Sequence, residues 1–206
     1  MWLDNVIFEN KVIENERFEL GDKNALYYLG PNLVLRSCTL VLRVPPKRLL
    51  PRGMTLIDCT VEAKREVKSF AWYAAHLKSC RVTGRFFGCD FGNYPDYVRP
   101  LRDVGGVEDC DFTAAHLHAC RFVGCDPSTL RFPRWPYFTI LEPYRRWREF
   151  AAILWPREIR TWFTSAEDDP ETTAAVTFSA TALAKEANVP EERIRALLEG
   201  HSDVLS

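Results

Sequence analysis

The sequence predicts a mainly β protein, a β-solenoid of about five to six coils followed by a small α-helical region at the C-terminus. Three observations support this fold class: regularly spaced cysteines, apolar ladders with the same period, and an abrupt change after Phe132 to a sequence rich in aromatic residues and arginine. The cysteines are Cys38, Cys59, Cys80, Cys89, Cys110, Cys120 and Cys125. Their successive gaps of 21, 21, 9, 21, 10 and 5 residues are typical of coils that stack on one another.

Apolar residues at two further positions repeat with the cysteine period. One ladder is Leu40, Val61, Val82, Leu101 and Phe122, and a second is Leu35, Leu56, Leu77, Tyr97 and Leu117. A β-solenoid fills a narrow interior with one large and one small side chain on each face. Stacked Leu and Phe supply the large side chains, and free cysteine behaves as a small buried hydrophobe. We therefore expect most of the cysteines to be structural.

The solenoid is expected to begin near the N-terminus and to run with one irregularity. Groups of five residues around Phe8, Ile13 and Phe18 indicate an irregular first coil. The segment GNYPDYVRPLRDVGG, residues 92–106, interrupts the pattern, and we expect it to keep the coil length. The open ends of such a rod are raw sheet edges that must be covered.

The clearest stretch divides into the fives CDFTA, AHLHA, CRFVG and CDPST, from Cys110 to Thr129. Here the chain resembles the pentapeptide-repeat family, and the resemblance covers roughly residues 29–132. It implies a right-handed four-sided β-helix with five residues on each face, in which the small residue and the Leu or Phe two positions later point inward. We assign this solenoid to residues 1–133.

Residues 134–206 are predicted to form an α-helical cap or extension. Pro143 and Pro156 are suited to helix starts, Ser179 is a good helix cap, and Pro190 opens a further helix. The string LAKEANVPEERIRALLEG is similar to the helix-turn-helix of bacterial repressors. Residues 166–206, however, carry three basic and nine acidic residues, which is unfavourable for contact with phosphates. A packed helical hairpin is the favoured interpretation.

Composition places the chain in a broad class. An odd number of cysteines, most of them in inward positions, favours reduced thiols and a cytoplasmic protein. The N-terminal residues lack the pattern of a signal peptide, and no apolar run reaches the roughly 18 residues of a membrane span. Charge is uneven: residues 31–133 carry 15 basic and 10 acidic residues, whereas residues 1–30 carry three basic and six acidic ones.

Polar residues give little indication of catalysis. His76, Asp96 and His116 would occupy the same outward slot in three successive coils, which could form a polar column. No nearby residue completes a metal shell or a nucleophile pair. The chain also has no glycine-rich phosphate loop, CxxC pair or GxSxG elbow. We therefore expect no enzyme activity, no metal and no cofactor.

A binding role remains. The family resemblance implies a protein-binding rod, because pentapeptide-repeat proteins often confer resistance to toxins. We hypothesise a bacterial immunity protein that neutralises a cognate toxin, and the alternatives are a topoisomerase (gyrase) binder and a DNA-binding regulator. Nucleic acid is the less favoured partner, and two copies could pair through a solenoid end. The candidate partner-binding residues are Trp72, Tyr73, Tyr94, Asp96, Arg99, Arg102, Asp103, Trp135, Arg145 and Trp147.

Overall fold

The computed structural model describes residues 4–94, 105–201 and 204–206, apart from the side chains of residues 166 and 167. Its first part is a β-solenoid of short strands. These are β1 (Asp4–Phe8), β2 (Lys11–Glu14), β3 (Arg17–Leu20), β4 (Ala25–Leu29), β5 (Leu33–Arg36), β6 (Thr39–Leu42), β7 (Leu49–Pro51), β8 (Met54–Ile57), β9 (Thr60–Ala63), β10 (Val67–Lys68), β11 (Ala75–Lys78), β12 (Arg81–Phe87), β13 (Asp90–Gly92), β14 (Gly106–Glu108), β15 (Ala115–His118) and β16 (Cys120–Val123). Short 3₁₀ turns lie at Pro46–Arg48 and Pro127–Thr129.

The C-terminal part combines helices with strands. Its elements are β17 (Tyr137–Leu141), α1 (Pro143–Ala152), α2 (Thr161–Thr164), a 3₁₀ turn (Ser165–Asp168), β18 (Thr173–Ser179), α3 (Ala180–Ala187), α4 (Glu191–Leu198) and β19 (Val204–Leu205). The predicted fold class, a mainly β solenoid followed by a few helices, is confirmed. The strands of the C-terminal part were not expected.

The solenoid strands stack in parallel, coil on coil. One five-stranded stack has the order β14-β11-β8-β5-β2, and a six-stranded sheet contains β12-β9-β6-β3. In the first of these, Leu35, Leu56 and Leu77 lie directly above one another. The steps are of 21 residues, as the spacing predicts. All three leucines are essentially inaccessible to solvent, so the ladder is the core of the rod.

Each cysteine closes a corner of the coil. The residue before it, such as Ser37, Asp58 or Ser79, has a left-handed backbone with φ of 49°, 53° and 53° respectively. Short polar side chains tolerate this conformation better than bulky ones do. The buried thiol of Cys59 then donates to the Ile57 carbonyl at 3.2 Å, and to the Leu35 carbonyl of the preceding coil at 3.3 Å. The cysteines are thus structural, as expected.

The coil that contains residues 92–106 is longer than the others. The Cys80 amide donates to the Cys110 thiol across an interval of 30 residues, whereas the Cys38 amide reaches Cys59 across 21. The expectation that this segment keeps the coil length is therefore wrong. This coil therefore contains about nine more residues than the coil between Cys38 and Cys59.

The longer coil changes which residues stack. Phe91 pairs with Phe122, not with Phe112. Val107, not Tyr97, continues the leucine ladder after Leu77. Leu101 and Tyr97, which were expected in the two ladders, lie outside the described residues.

The C-terminal part packs on the last coils. Strand β18 runs antiparallel to β16 and to β17, so one sheet of the solenoid continues into this region. Two predicted helix signals are confirmed: Pro143 opens α1, and the Ser179 side chain accepts a hydrogen bond from the Ala182 amide at the start of α3. The helix start predicted at Pro156 is wrong, because α2 begins only at Thr161. Asn188 ends α3 in a left-handed conformation, the role that glycine often has.

A second apolar core lies beneath these helices. Phe138, Phe163 and Phe178 are among its buried rings. In the part of the chain that the structure describes, every helix falls short of the length and apolar character that a membrane crossing requires.

Candidate functional site

The first coil forms an uncovered end of the rod, which we call the N-terminal edge (residues 4–20). Strands β1, β2 and β3 each pair with the next coil, through β4, β5 and β6. Within the described part of the chain, no strand pairs with their outer sides. Free strand edges carry unpaired backbone N–H and C=O groups and are templates for another chain.

Apolar side chains are exposed along this edge. Ile7 is 54% exposed and Val12 is 62% exposed. Phe8 and Phe18 lie below them, half-buried, with ring centroids 4.6 Å apart in an edge-to-face contact. The interior ladder of the rod therefore continues to its end without a cover among the described residues.

The N-terminal edge is acidic. It carries five carboxylates, Asp4, Glu9, Glu14, Glu16 and Glu19, against two cations, Lys11 and Arg17. The Arg17 guanidinium also forms an ion pair with Glu62 of a later coil, with a nitrogen–oxygen distance of 3.2 Å. Among the described residues, Asp4, Glu9 and Glu16 form no ion pair, and all three are exposed. The end thus presents apolar side chains within a field of negative charge.

Two of the predicted partner-binding residues are buried. Trp72 and Tyr73 were expected to face outward, which is wrong, because they are only 2% and 8% exposed. Trp72 stacks on Phe91 inside the rod, with centroids 5.9 Å apart and planes 9° apart. Burial raises the pKa of Tyr73 above its usual range, and a hydrogen bond with Asp90 adds to the shift.

The neighbouring predicted residues are only partly described. Tyr94 is half-buried, and its ring lies 4.7 Å from the ring of Tyr73. Asp96, Arg99, Arg102 and Asp103 lie outside the described residues.

The predicted residues of the C-terminal region lie at its surface with intramolecular contacts. The Arg195 guanidinium lies 5.2 Å from the centre of the half-buried Trp135 ring, and Arg148 lies 5.3 Å from that of Trp147. Arg145 is exposed and donates to Glu142 at 3.0 Å. The role of Trp135, Arg145 and Trp147 in binding stays a prediction.

His76 and His116 do not stack in one column, and Asp96, the third residue of the predicted column, lies outside the described residues. His76 lies on β11 beside Gly106, whereas His116 lies on β15 beside Arg85, in a different sheet. The coil between them contains about nine more residues than the preceding coils, so a spacing of 20 residues no longer marks the same position. His76 lies 3.2 Å from a Glu108 carboxylate oxygen, and His116 is hydrogen-bonded to the Tyr137 hydroxyl at 2.5 Å. Within the described ranges, no cluster of ligands suited to a metal ion is present.

His118 is a half-buried, neutral histidine. Its Nδ1 accepts a hydrogen bond from the Ser179 amide at 3.2 Å, which leaves the proton on Nε2. Rings of Phe87, Trp162 and Phe178 surround it. Burial among these groups lowers the pKa of His118 to about 4.

The protein is expected to lose stability as the pH falls from 6.5, the ordinary pKa of histidine, to about 4. In this window the unfolded chain binds a proton at residue 118 and the folded chain does not, so protonation favours unfolding. The shift corresponds to about 2–3 kcal/mol after allowance for residual exposure. Urea unfolding at a series of pH values measures the effect. His118→Gln should flatten the curve and His116→Gln should not; equal curves for His118→Gln and the wild type would contradict the assignment.

A partly buried ion-pair network connects the C-terminal region to the solenoid. Arg121 on β16 donates through Nε to Asp90 and through a terminal nitrogen to Asp169, both at 2.6 Å. The two carboxylate side chains are only 15% and 18% exposed. Burial raises the pKa of Asp169, and the Arg121 guanidinium opposes that shift.

The signal for the N-terminal edge was present in the sequence. The fives around Phe8, Ile13 and Phe18 predict the first coil, and the structure confirms it as β1 to β3. In the first coil, inward apolar residues do not alternate regularly with outward polar ones, because Ile7 and Val12 place apolar side chains at outward positions. An outward apolar residue on an edge strand is the feature that could have identified this site.

No protein-family model matches the chain, and neither does any curated protein. A solved structure that it resembles is that of trypsin-treated QnrB1, a plasmid-mediated fluoroquinolone resistance protein. The two chains are 13% identical; the match covers 64% of this chain and 80% of that one, with a TM-score of 0.33. A likeness this weak establishes neither family nor function.

Proposed function

We propose that this protein is a noncatalytic binding protein that neutralises a cognate bacterial toxin by docking it at the N-terminal edge. The observation that carries the proposal is the uncovered end of the rod, where Ile7 and Val12 are exposed among carboxylates. At the other end, β18 pairs along β16 and continues that sheet into the C-terminal region. The first coil offers three adjacent strands whose outer sides have no strand partner among the described residues.

The partner that docks at the N-terminal edge is expected to be a protein rather than a small molecule. Three edge strands supply rows of backbone donors and acceptors, which an extended segment of a partner can pair with, as in β-augmentation. The exposed Ile7 and Val12 provide apolar contacts on the same surface. Side chains of this kind, surrounded by a polar rim, are typical of interface centres.

The partner is expected to be basic. Five acidic residues against two basic ones give the N-terminal edge a net negative charge, which attracts a positive surface and disfavours a like-charged one. Toxins that cut or modify nucleic acids carry such surfaces, because Lys and Arg bind phosphates. The resemblance to pentapeptide repeats supports a protective role, since proteins of that family often confer toxin resistance.

A topoisomerase is the second candidate, and the same observation favours it. An enzyme that holds duplex DNA also has basic surfaces that an acidic rod end can engage. The helix pair α3–α4 gives less support to DNA binding by this chain. Arg195 lies against Trp135, and Glu191 and Glu192 stand in the first turn of α4.

The test is coexpression of this protein with each product of a flanking gene that is toxic to the host. We expect growth to be restored and the two proteins to copurify as a complex. Failure of both rescue and copurification would overturn the toxin-binding proposal. Inhibition of gyrase supercoiling by the purified protein would instead support the second candidate, and a dimer without either partner would indicate self-association through the rod end.

A further inference from the structure

A pocket of about 340 Å³ lies between the outer face of the last coils and the C-terminal region. This volume falls in the range of roughly 300–1,000 Å³ that small-molecule sites occupy. The residues that carry the argument are Glu66, Arg85, Phe87, His116, Tyr137 and Glu186. We call this site the junction pocket. It is built from the last coils, away from the first coil that forms the N-terminal edge.

A cation without a partner lies on the floor of the junction pocket. Arg85 and His116 are direct neighbours on β12 and β15, and neighbouring strands lie about 4.8 Å apart. Both side chains are exposed to the pocket mouth. Among the described residues, no hydrogen bond or ion pair engages the Arg85 guanidinium. An unpaired guanidinium beside an imidazole suits a carboxylate ligand, which it can hold with two parallel hydrogen bonds.

An anion without a cation stands on the helical side. Glu186 on α3 accepts hydrogen bonds from the Trp162 indole at 3.2 and 3.3 Å. No described cation forms an ion pair with it. Glu66, the other carboxylate of the lining, is different, because Lys68 lies 3.0 Å from it. The pocket thus contains one unmatched positive group and one unmatched negative group.

Aromatic side chains also line the junction pocket. Phe87 and His118 are direct neighbours on the pocket floor, and Tyr137 forms part of the wall. The Ser179 amide fixes His118 as the neutral tautomer, so it presents a ring edge and no charge. Such a surface accommodates an apolar or aromatic group.

We propose that the junction pocket binds a free α-amino acid with an aromatic or branched side chain. The ligand carboxylate lies against Arg85 and His116, the ammonium group lies against Glu186, and the side chain packs on Phe87. A simple anion meets the unmatched Glu186 and a simple cation meets the unmatched Arg85, so a zwitterion is the class that satisfies both. This proposal is independent of docking at the N-terminal edge.

The experiment is calorimetric titration of the full chain with L-phenylalanine and L-leucine at millimolar concentration. Two analogues of phenylalanine lack one charge each: phenethylamine keeps the ammonium group, and hydrocinnamate keeps the carboxylate. We expect at least one amino acid to bind and both analogues to bind at least about tenfold more weakly, the effect of roughly one lost charged hydrogen bond.

Substitutions test which pocket residue binds each charged group of the ligand. Arg85→Gln should abolish the preference for phenylalanine over phenethylamine, and Glu186→Gln should abolish the preference over hydrocinnamate. Arg81→Gln, on the same strand, and Glu192→Gln, on the next helix, are matched exposed controls that should bind like the wild type. Absence of binding by both amino acids would overturn the proposal. So would equal affinity for the singly charged analogues, or unchanged preferences in both pocket variants.

Discussion

Phe91→Ala is expected to destabilise the protein by about 3–5 kcal/mol, because it opens a cavity at the centre of the rod. Phe91 is fully buried. Its ring stacks on Phe122 at 5.3 Å, meets Phe112 edge-on at 5.2 Å, and lies parallel to Trp72 at 5.9 Å. These neighbours come from different coils, so the cavity cannot be closed by the movement of one side chain. Urea unfolding followed by tryptophan fluorescence measures the loss.

Phe8→Ala is the matched control for this substitution. Phe8 lies at the N-terminal edge, is half-buried, and packs edge-on against Phe18. Because Phe8 buries less apolar area than Phe91, the free energy of unfolding should fall by less than about 2 kcal/mol in this variant. A loss for Phe91→Ala no greater than that for Phe8→Ala would contradict the packing described for the rod interior.

Arg121→Met is expected to cost about 3–5 kcal/mol, since it leaves two largely buried carboxylates without their cation. Asp90 and Asp169 each accept a hydrogen bond from the guanidinium at 2.6 Å. The deficit should shrink as the pH is lowered through the carboxylate range, because a protonated Asp needs no cation. Unfolding curves at neutral and acidic pH measure both effects.

Arg131→Met provides the comparison, because Arg131 also pairs with an aspartate of the preceding coil. Its guanidinium lies 3.1 Å from Asp111, but its side chain is 73% exposed. An exposed pair of this kind contributes less than about 1 kcal/mol. Adding Asp90→Asn and Asp169→Asn to Arg121→Met should recover part of the lost stability. Equal losses for the two arginine variants would contradict the role assigned to Arg121.

The solenoid could be predicted because every coil repeats one steric requirement. Cys38, Cys59 and Cys80 fill equivalent corners, and each follows a residue in the left-handed conformation, so the constraint appears in the sequence as a spacing of 21. The helix signals at Pro143 and Ser179 were equally local, since capping depends on adjacent residues. Such features are readable without knowledge of the tertiary fold.

The longer coil could not be predicted from the same spacing. Although this coil is about nine residues longer, Cys89 and Cys110 still stand 21 residues apart. The structure stacks Cys110 on Cys80 and brings the Cys120 thiol to the Phe86 carbonyl. Only pairing between coils distinguishes the two registers, and pairing is not visible in a one-dimensional period. The assumption of equal coil lengths is the reason that His76 and His116 were wrongly predicted to lie in one column.

The candidate site was predicted less well than the fold. Trp72 and Tyr73 were interpreted as surface anchors, yet both are buried, and Trp72 stacks on Phe91 inside the rod. The acidic charge of the first thirty residues was visible, but its meaning depends on the edge strands being uncovered. Contacts across coils decide which side chains remain outside, and these arise only in the folded rod.

The most direct test of docking at the N-terminal edge is the affinity of the protein for the toxin that it neutralises on coexpression, measured by calorimetry. The test variant is Ile7→Ser/Val12→Ser, and the control variant is Leu154→Ser/Leu205→Ser. Together they replace the four large apolar side chains that are exposed among the described residues. We expect the first variant to bind at least about tenfold more weakly, and the second to bind like the wild type. Equal affinity of the Ile7→Ser/Val12→Ser variant and the wild type would contradict docking at this end.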